Sequence, residues 1–190
     1  MMSTVRLVKT RRFKDDRGWF SEIYNQQAFV KFGINTGFVQ DNQSFSQAAG
    51  TIRGLHFQRP PHAQDKLVRC IRGRIYDVAV DVRRGSPTFG KHVGAELSDE
   101  NGLQLFIPAG FAHGFSTLEP NCEITYKVSD IYAPQTEGGL RWDDSALAIN
   151  WQLPFGITPS LSAKDSILPA LAEFDSPFVY DGSPLVDLVI

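Results

Sequence analysis

At 190 residues with 42% hydrophobic content, the chain has the size of one domain and enough apolar residues for one sizeable core. Its formal net charge of -2 excludes a whole-protein field that would draw it to a nucleic-acid polymer or an anionic membrane, and leaves room for a small anionic ligand held by a few local Arg and Lys. The opening ten residues lack the apolar core of a signal peptide and no apolar run approaches the roughly 20 residues of a membrane span, so a cytoplasmic protein is expected.

Sixteen glycines, eleven prolines and frequent β-branched or aromatic residues cut the chain into short runs, the pattern of an antiparallel sandwich or barrel. Segment 15–22 reads as a polar turn leading into a strand, and a helix is predicted over about 25–32. Strands are predicted at 51–58, 67–71, 74–82, 91–97, 102–107, 111–118 and 123–128. Along 74–82, Tyr76, Val78, Val80 and Val82 share one face while Asp77 and Asp81 take the other. A carboxylate among β-branched residues needs a partner, and Asp77 is expected to meet Lys66 or His56, or to form a surface ion pair. The turn Arg72-Gly73-Arg74 predicts a hairpin from 67–71 and 74–82. Cys70 and Cys122 lie inside strand-like runs without CxxC spacing and are expected to be buried thiols. A second helix is predicted over 164–174, where Ile167, Leu168, Leu171 and Phe174 recur at helical spacing and Pro169 falls in the first turns. The tail 175–190 mixes Pro, Gly and apolar residues, and its end, 185–190, is apolar enough to add an edge strand.

Strict alternation along 51–58 sends Arg53 and His56 to opposite faces. Gly54 between them offers a bulge that would re-aim one of the two. Among the four histidines, His56 lies in Arg53-Gly54-Leu55-His56-Phe57-Gln58, and His113 closes a P-x-G-x-x-H pattern beginning at Pro108 that resembles the second motif of the cupin barrels. Metal-binding cupins pair that motif with an H-x-H and a following glutamate, and the matching region here offers only His56 and the distant His62, so no metal site is expected. A strand histidine taken alone reads more readily as a hydrogen-bonded structural residue than as a base. The company of Arg53, Lys66, Tyr126, Lys164 and Asp165 argues for the base. Taken alone, Lys66 equally reads as a solvated strand residue, Tyr126 as a barrel-core aromatic and His113 as a loop-stabilising hydrogen-bond partner.

From about 15 to 165 the chain resembles the dTDP-4-dehydrorhamnose 3,5-epimerase family. The resemblance runs through Asp16-Arg17-Gly18-Trp19-Phe20-Ser21-Glu22, Gln40-Asp41-Asn42, the His56 motif, Asp65-Lys66-Leu67-Val68-Arg69, Gly85-Ser86-Pro87-Thr88-Phe89-Gly90, the His113 motif, Tyr126-Lys127, Glu137-Gly138-Gly139 and Leu161-Ser162-Ala163-Lys164-Asp165. It implies an all-β, cupin-like antiparallel β-barrel (jelly roll) with a few short helices, mostly C-terminal. It also implies one domain over 1–190, with N-terminal strands exchanged in a homodimer and 175–190 as an extension. The implied substrate is a dTDP-4-keto-6-deoxyhexose inverted at C3 and C5 without a cofactor.

In that reading His56 is the base, Asp165 orients it, Lys66 faces the C4 oxygen and Tyr126 is the acid across the ring. Period two supports an inward Tyr126, on one face with Cys122, Ile124 and Val128. Arg17, Phe20 and Glu22 match positions that hold the thymidine, in the same chain's site or across the dimer. Arg53 and Lys164 fit the diphosphate, His113 the sugar or diphosphate, and Gln40, Asn42 and Glu137 the remaining hydrogen bonds. Two departures stand out: Ile131-Tyr132 replaces two adjacent aromatics, and Asn150-Trp151-Gln152 replaces an acidic residue, Trp and Pro. Three rivals remain: a relative that inverts C3 alone, a metal-dependent cupin enzyme and a non-enzymatic carbohydrate-binding barrel.

Overall fold

The computed structural model describes residues 2–182 and 186–187, with the backbone alone at 2, 3, 186 and 187. In chain order the strands are β1 Met2–Ser3, β2 Arg6–Lys9, β3 Phe13–Asp15, β4 Gly18–Phe20, β5 Gln40–Ser46, β6 Ile52–Gln58, β7 Lys66–Arg72, β8 Arg74–Asp81, β9 His92–Ser98, β10 Leu103–Ile107, β11 Phe111–Thr117, β12 Cys122–Val128, β13 Glu137–Gly139 and β14 Val186–Asp187. Two five-stranded antiparallel sheets, ordered β2-β10-β7-β12-β5 and β13-β6-β11-β8-β9, form the expected jelly roll. The β3–β4 hairpin stands outside both sheets. β14 pairs with β1, so this part of the expected C-terminal edge strand forms, while 185 and 188–190 lie outside the described residues.

Alternation along the strands builds three apolar layers. Val68, Cys70, Ile75, Ala79, Leu105 and Ile124 fill the space between the sheets. The opposite set on the second sheet, with Leu55, Phe57, Val78, Val80 and Val82, is covered by Leu140, Leu147, Trp151 and Phe178 from the C-terminal third. Val8, Leu67 and Phe106 on the first sheet are covered by Phe29 and Ile34 around helix α1, Gln26–Val30. Each such aliphatic side chain contributes about 1.5–3 kcal/mol through burial. The Asn25 side chain caps α1 by accepting from the Gln27 and Ala28 amides, a contribution of about 1 kcal/mol. Cys70 and Cys122 are buried free thiols.

The structure corrects two sequence expectations. β7 and β8 are not a hairpin: β7 pairs with β10 and β12, whereas β8 pairs with β11 and β9 in the other sheet. Only Gly73 separates them, one residue fewer than the tightest common hairpin loop, and its φ of +77° turns the chain from one sheet to the other. The predicted helix over 164–174 is instead two 3-10 turns, Asp165–Ile167 and Leu171–Glu173. Leu168 between them is extended (φ −64°, ψ 147°), because Pro169 bars the preceding residue from the helical region.

Candidate active site

One end of the barrel opens into a cavity of about 470 Å³, within the roughly 300–1,000 Å³ of small-molecule clefts. Arg53, His56, Lys66, His113, Tyr126, Lys164 and Asp165 line it, drawn from four strands of the two sheets and from the start of the 3-10 turn Asp165–Ile167. A smaller lobe of about 130 Å³ shares His56, Lys66 and Tyr126 and adds Gln40, Asn42, Tyr132 and Glu137.

Arg53 and His56 reach the same cavity because β6 carries a bulge. His113 pairs with His56 but Phe115 pairs with Arg53, so three steps on β6 match two on β11. The extra residue lies at Gly54, as the alternation conflict had indicated. Gly54 has φ +126°, and a Cβ there would stand 2.5 Å from the Gly114 Cα and 2.7 Å from the His113 carbonyl. Only glycine fits between these strands.

The His56 Nε2 lies 2.6 Å from Asp165 Oδ1. The imidazole is 36% exposed toward the cavity and the carboxylate 4%, so the ring is reachable and its partner is not. Burial raises the Asp165 carboxyl, but the His56 hydrogen bond and charge, with the Gly54 amide and Ser162, outweigh it and hold the group below the usual carboxylate range. The dyad oxygen is therefore anionic at neutral pH. A second pair lies beside it: His113 Nε2 is 2.8 Å from Asp77 Oδ1, with both groups buried. Burial lowers the His113 imidazole below its ordinary value even against the Asp77 charge, which keeps it neutral. Asp77 therefore hydrogen-bonds His113, not Lys66 or His56, and is not a surface ion pair.

Lys66 opens β7 with its ammonium buried and donating to the His56 carbonyl at 3.4 Å. Burial lowers it to about 8 against the charges of Asp77 and Glu137, so it remains a cation at neutral pH. Tyr126 is inward on β12 with Ile124, and burial chiefly raises its phenol, keeping the proton on oxygen. At the rim, Lys164 pairs with Glu137, which also accepts from the Tyr132 hydroxyl at 3.0 Å. The Tyr132 amide donates to the Gln40 side chain at 3.0 Å, and Gln40 donates to Asn42 at 2.8 Å. Arg53 donates to the Ser46 hydroxyl and the Phe45 carbonyl.

Ten of the thirteen residues expected at the site thus share one cleft. Arg17, Phe20 and Glu22 do not: they lie on or beside the β3–β4 hairpin, where Phe20 is 70% exposed and Arg17 pairs, among the described residues, with the neighbouring Asp15. Tyr132 as a rim residue and Asp77 as the His113 partner escaped the sequence. The period of two along 74–82 had placed Asp77 on the face opposite Val78, Val80 and Val82, which left a buried partner and a surface ion pair equally open. Ile131 is 58% exposed, and Trp151 of the second departure packs in the outer core. Among the described residues no group of three or more His, Cys, Asp or Glu is gathered as a metal site.

A jelly-roll barrel holding a reachable imidazole backed by a buried carboxylate, with an ammonium and a phenol on the same cavity, defines the class: an enzyme of proton transfer. The chain matches the family model described as dTDP-4-dehydrorhamnose 3,5-epimerase over residues 1–173, and it belongs to that family. It is 54% identical over 179 residues to a dTDP-4-dehydrorhamnose 3,5-epimerase from Sinorhizobium fredii, covering 94% of this chain and 91% of the relative. It is 49% identical to the Bacillus anthracis enzyme of that name, whose crystal structure has TDP and PPi bound, with a TM-score of 0.85, covering 88% of this chain and 94% of the other. The Legionella pneumophila epimerase, in complex with dTDP-4-keto-L-rhamnose, is 42% identical with a TM-score of 0.84, covering 89% of this chain and 88% of that one.

Proposed function

We propose that this chain converts dTDP-4-dehydro-6-deoxy-D-glucose to dTDP-4-dehydro-L-rhamnose by removing and returning protons at C3 and C5. Both hydrogens are α to the C4 ketone, and the electrons freed on deprotonation return to the same carbon, so the reaction needs no redox cofactor. The observation that carries this reading is the His56–Asp165 pair opening on the same cavity as Lys66 and Tyr126.

His56 takes the carbon-bound proton, and Asp165 stabilises the imidazolium that results. Negative charge then develops on the C4 oxygen, where the Lys66 ammonium stabilises the transition state more than the ground state. Tyr126 returns a proton from the opposite face. Arg53 and Lys164 take the diphosphate, Lys164 leaving Glu137 to do so, while Gln40, Asn42 and Glu137 hydrogen-bond the sugar and His113 walls its pocket. Arg17, Phe20 and Glu22 grip the thymidine of a partner subunit in a homodimer with exchanged N-terminal strands. Their exposure beside the exposed Phe13 and Trp19 supports that arrangement. The enzyme acts in the cytoplasm in the synthesis of dTDP-L-rhamnose for surface polysaccharide, and its two unpaired cysteines suit a reducing compartment.

The test is conversion of dTDP-4-keto-6-deoxyglucose in heavy water with no added cofactor, followed by NMR. Deuterium at both C3 and C5 with the L-rhamno product is expected. Deuterium at C3 alone would make the chain a C3 epimerase, and no incorporation would remove the reading altogether.

A further inference from the structure

Behind His113, on the wall of the cavity, lies a polar mismatch that the proposed chemistry does not use. Asp77 is 0% exposed on β8, and its Oδ1 is taken by His113. Its Oδ2 is buried with no hydrogen-bond partner among the described residues. A buried carboxylate oxygen without a donor costs about 1–3 kcal/mol or more, so such an atom requires an explanation. On the cavity wall that His113 also lines, the Lys66 ammonium has three donors and uses one, on the His56 carbonyl at 3.4 Å. Asp77 is the larger of the two carboxylate influences that favour the Lys66 cation, and His113, which holds Asp77, lines the same cavity as Lys66.

We propose that Asp77, clamped by His113, is a positioning residue for the reaction: its free carboxylate oxygen is the counter-charge that keeps the Lys66 ammonium protonated and fixes its place at the C4-oxygen end of the cavity. The inference rests on the reading of Lys66 as the electrophile. It gives His113 a structural task, since a neutral imidazole can hold Oδ1 in a fixed orientation without competing for the charge of Oδ2. The other titratable groups lining the cavity with Lys66 are Arg53 and His56 on β6, Tyr126 on β12, Glu137 on β13, Tyr132, Lys164 and Asp165; Asp165 meets His56, and Glu137 lies at the rim with Tyr132 and Lys164. Burial alone would drive the proton off Lys66, and a fixed anion beside it opposes that loss.

The experiment is the pH profile of turnover on the 4-keto sugar nucleotide for the wild type, Asp77→Asn, His113→Gln and Lys66→Arg, with dTDP binding measured on each to confirm an intact fold. Asp77→Asn is expected to lower kcat about tenfold or more near neutral pH, with KM nearly unchanged, and to move the alkaline limb down by about one pH unit or more. Part of the loss is recovered at lower pH, where Lys66 regains its proton. His113→Gln moves the limb the same way by less, and gives the answer where Asp77→Asn fails to fold. Lys66→Arg, permanently charged, abolishes the limb, and adding Asp77→Asn to it restores none. A limb that Lys66→Arg abolishes but that stays in place in both Asp77→Asn and His113→Gln overturns the inference and leaves Lys66 as the electrophile. A limb untouched by Lys66→Arg removes the role of Lys66 and the inference with it.

Discussion

His56 and His113 face each other as register partners across β6 and β11, and each meets an aspartate through Nε2, at 2.6 Å for Asp165 and 2.8 Å for Asp77. The same atoms serve different ends because the environments differ. The His56 side chain is 36% exposed and open to a ligand, whereas that of His113 is 8% exposed and closed off. A base needs access to the proton that it removes, and only His56 has it.

The bulge at Gly54 aims both Arg53 and His56, so its loss couples stability to activity. Gly54→Ala places a methyl group 2.5 Å from the Gly114 backbone at φ +126°. We expect a destabilisation of about 2–4 kcal/mol, read by urea denaturation, and at least about 100-fold lower turnover. A variant as stable and active as the wild type would show that the bulge does not set the site.

Lys66 makes activity and stability move in opposite directions with pH. Burial lowers it from 10.5 to about 8, so with Lys66 as the proposed electrophile turnover is expected to fall above pH 8, read from the pH profile of kcat. Between 8 and 10.5 the unfolded chain binds a proton that the folded chain has released, and stability rises with pH across that window. Urea denaturation at pH 8 and pH 9.5, referenced to Lys66→Arg, should show the wild type gaining on the variant.

A base and an acid on opposite faces of one ring separate exchange from inversion. Tyr126→Phe keeps His56 and loses the hydroxyl, so it is expected to wash deuterium into the substrate with retained configuration while inversion slows about 10²–10⁴-fold. Equal loss of exchange and inversion would assign the phenol a different task.

The position of Arg17 outside the cleft predicts complementation. A chain with Arg17→Ala is expected to bind substrate more weakly, and a His56→Asn chain to be inactive. Mixed dimers regain turnover if the intact hairpin of the His56→Asn chain serves the intact cavity of the other. No gain on mixing would place Arg17 in its own chain's site.

Most of the barrel was legible because its strands bury one face or both. The run 74–82 announced its register through Val78, Val80 and Val82, and the conflict between Arg53 and His56 announced the bulge. β5 escaped because Gln40, Asn42 and Ser44 face the polar cavity while Asp41 and Gln43 face outward, leaving no apolar period to read; its place comes from the ladder with β12. The turn at Gly73 carries the same local signal for a hairpin and for a crossing between sheets, and only pairing with distant strands decides. Of the site's pairings, the resemblance supplied His56 with Asp165, which lie 2.6 Å apart, but not His113 with Asp77. Asp77 and His113 are 36 residues apart, and nothing local links them.

Whether His56 removes the proton from carbon is decided by deuterium incorporation into dTDP-4-keto-6-deoxyglucose by wild type and His56→Asn side by side, with equal dTDP binding confirming that both sites are intact. Exchange at C3 and C5 is expected in the wild type, with a loss of about 10²–10⁴-fold at both carbons in the variant. Undiminished exchange in His56→Asn would contradict that role.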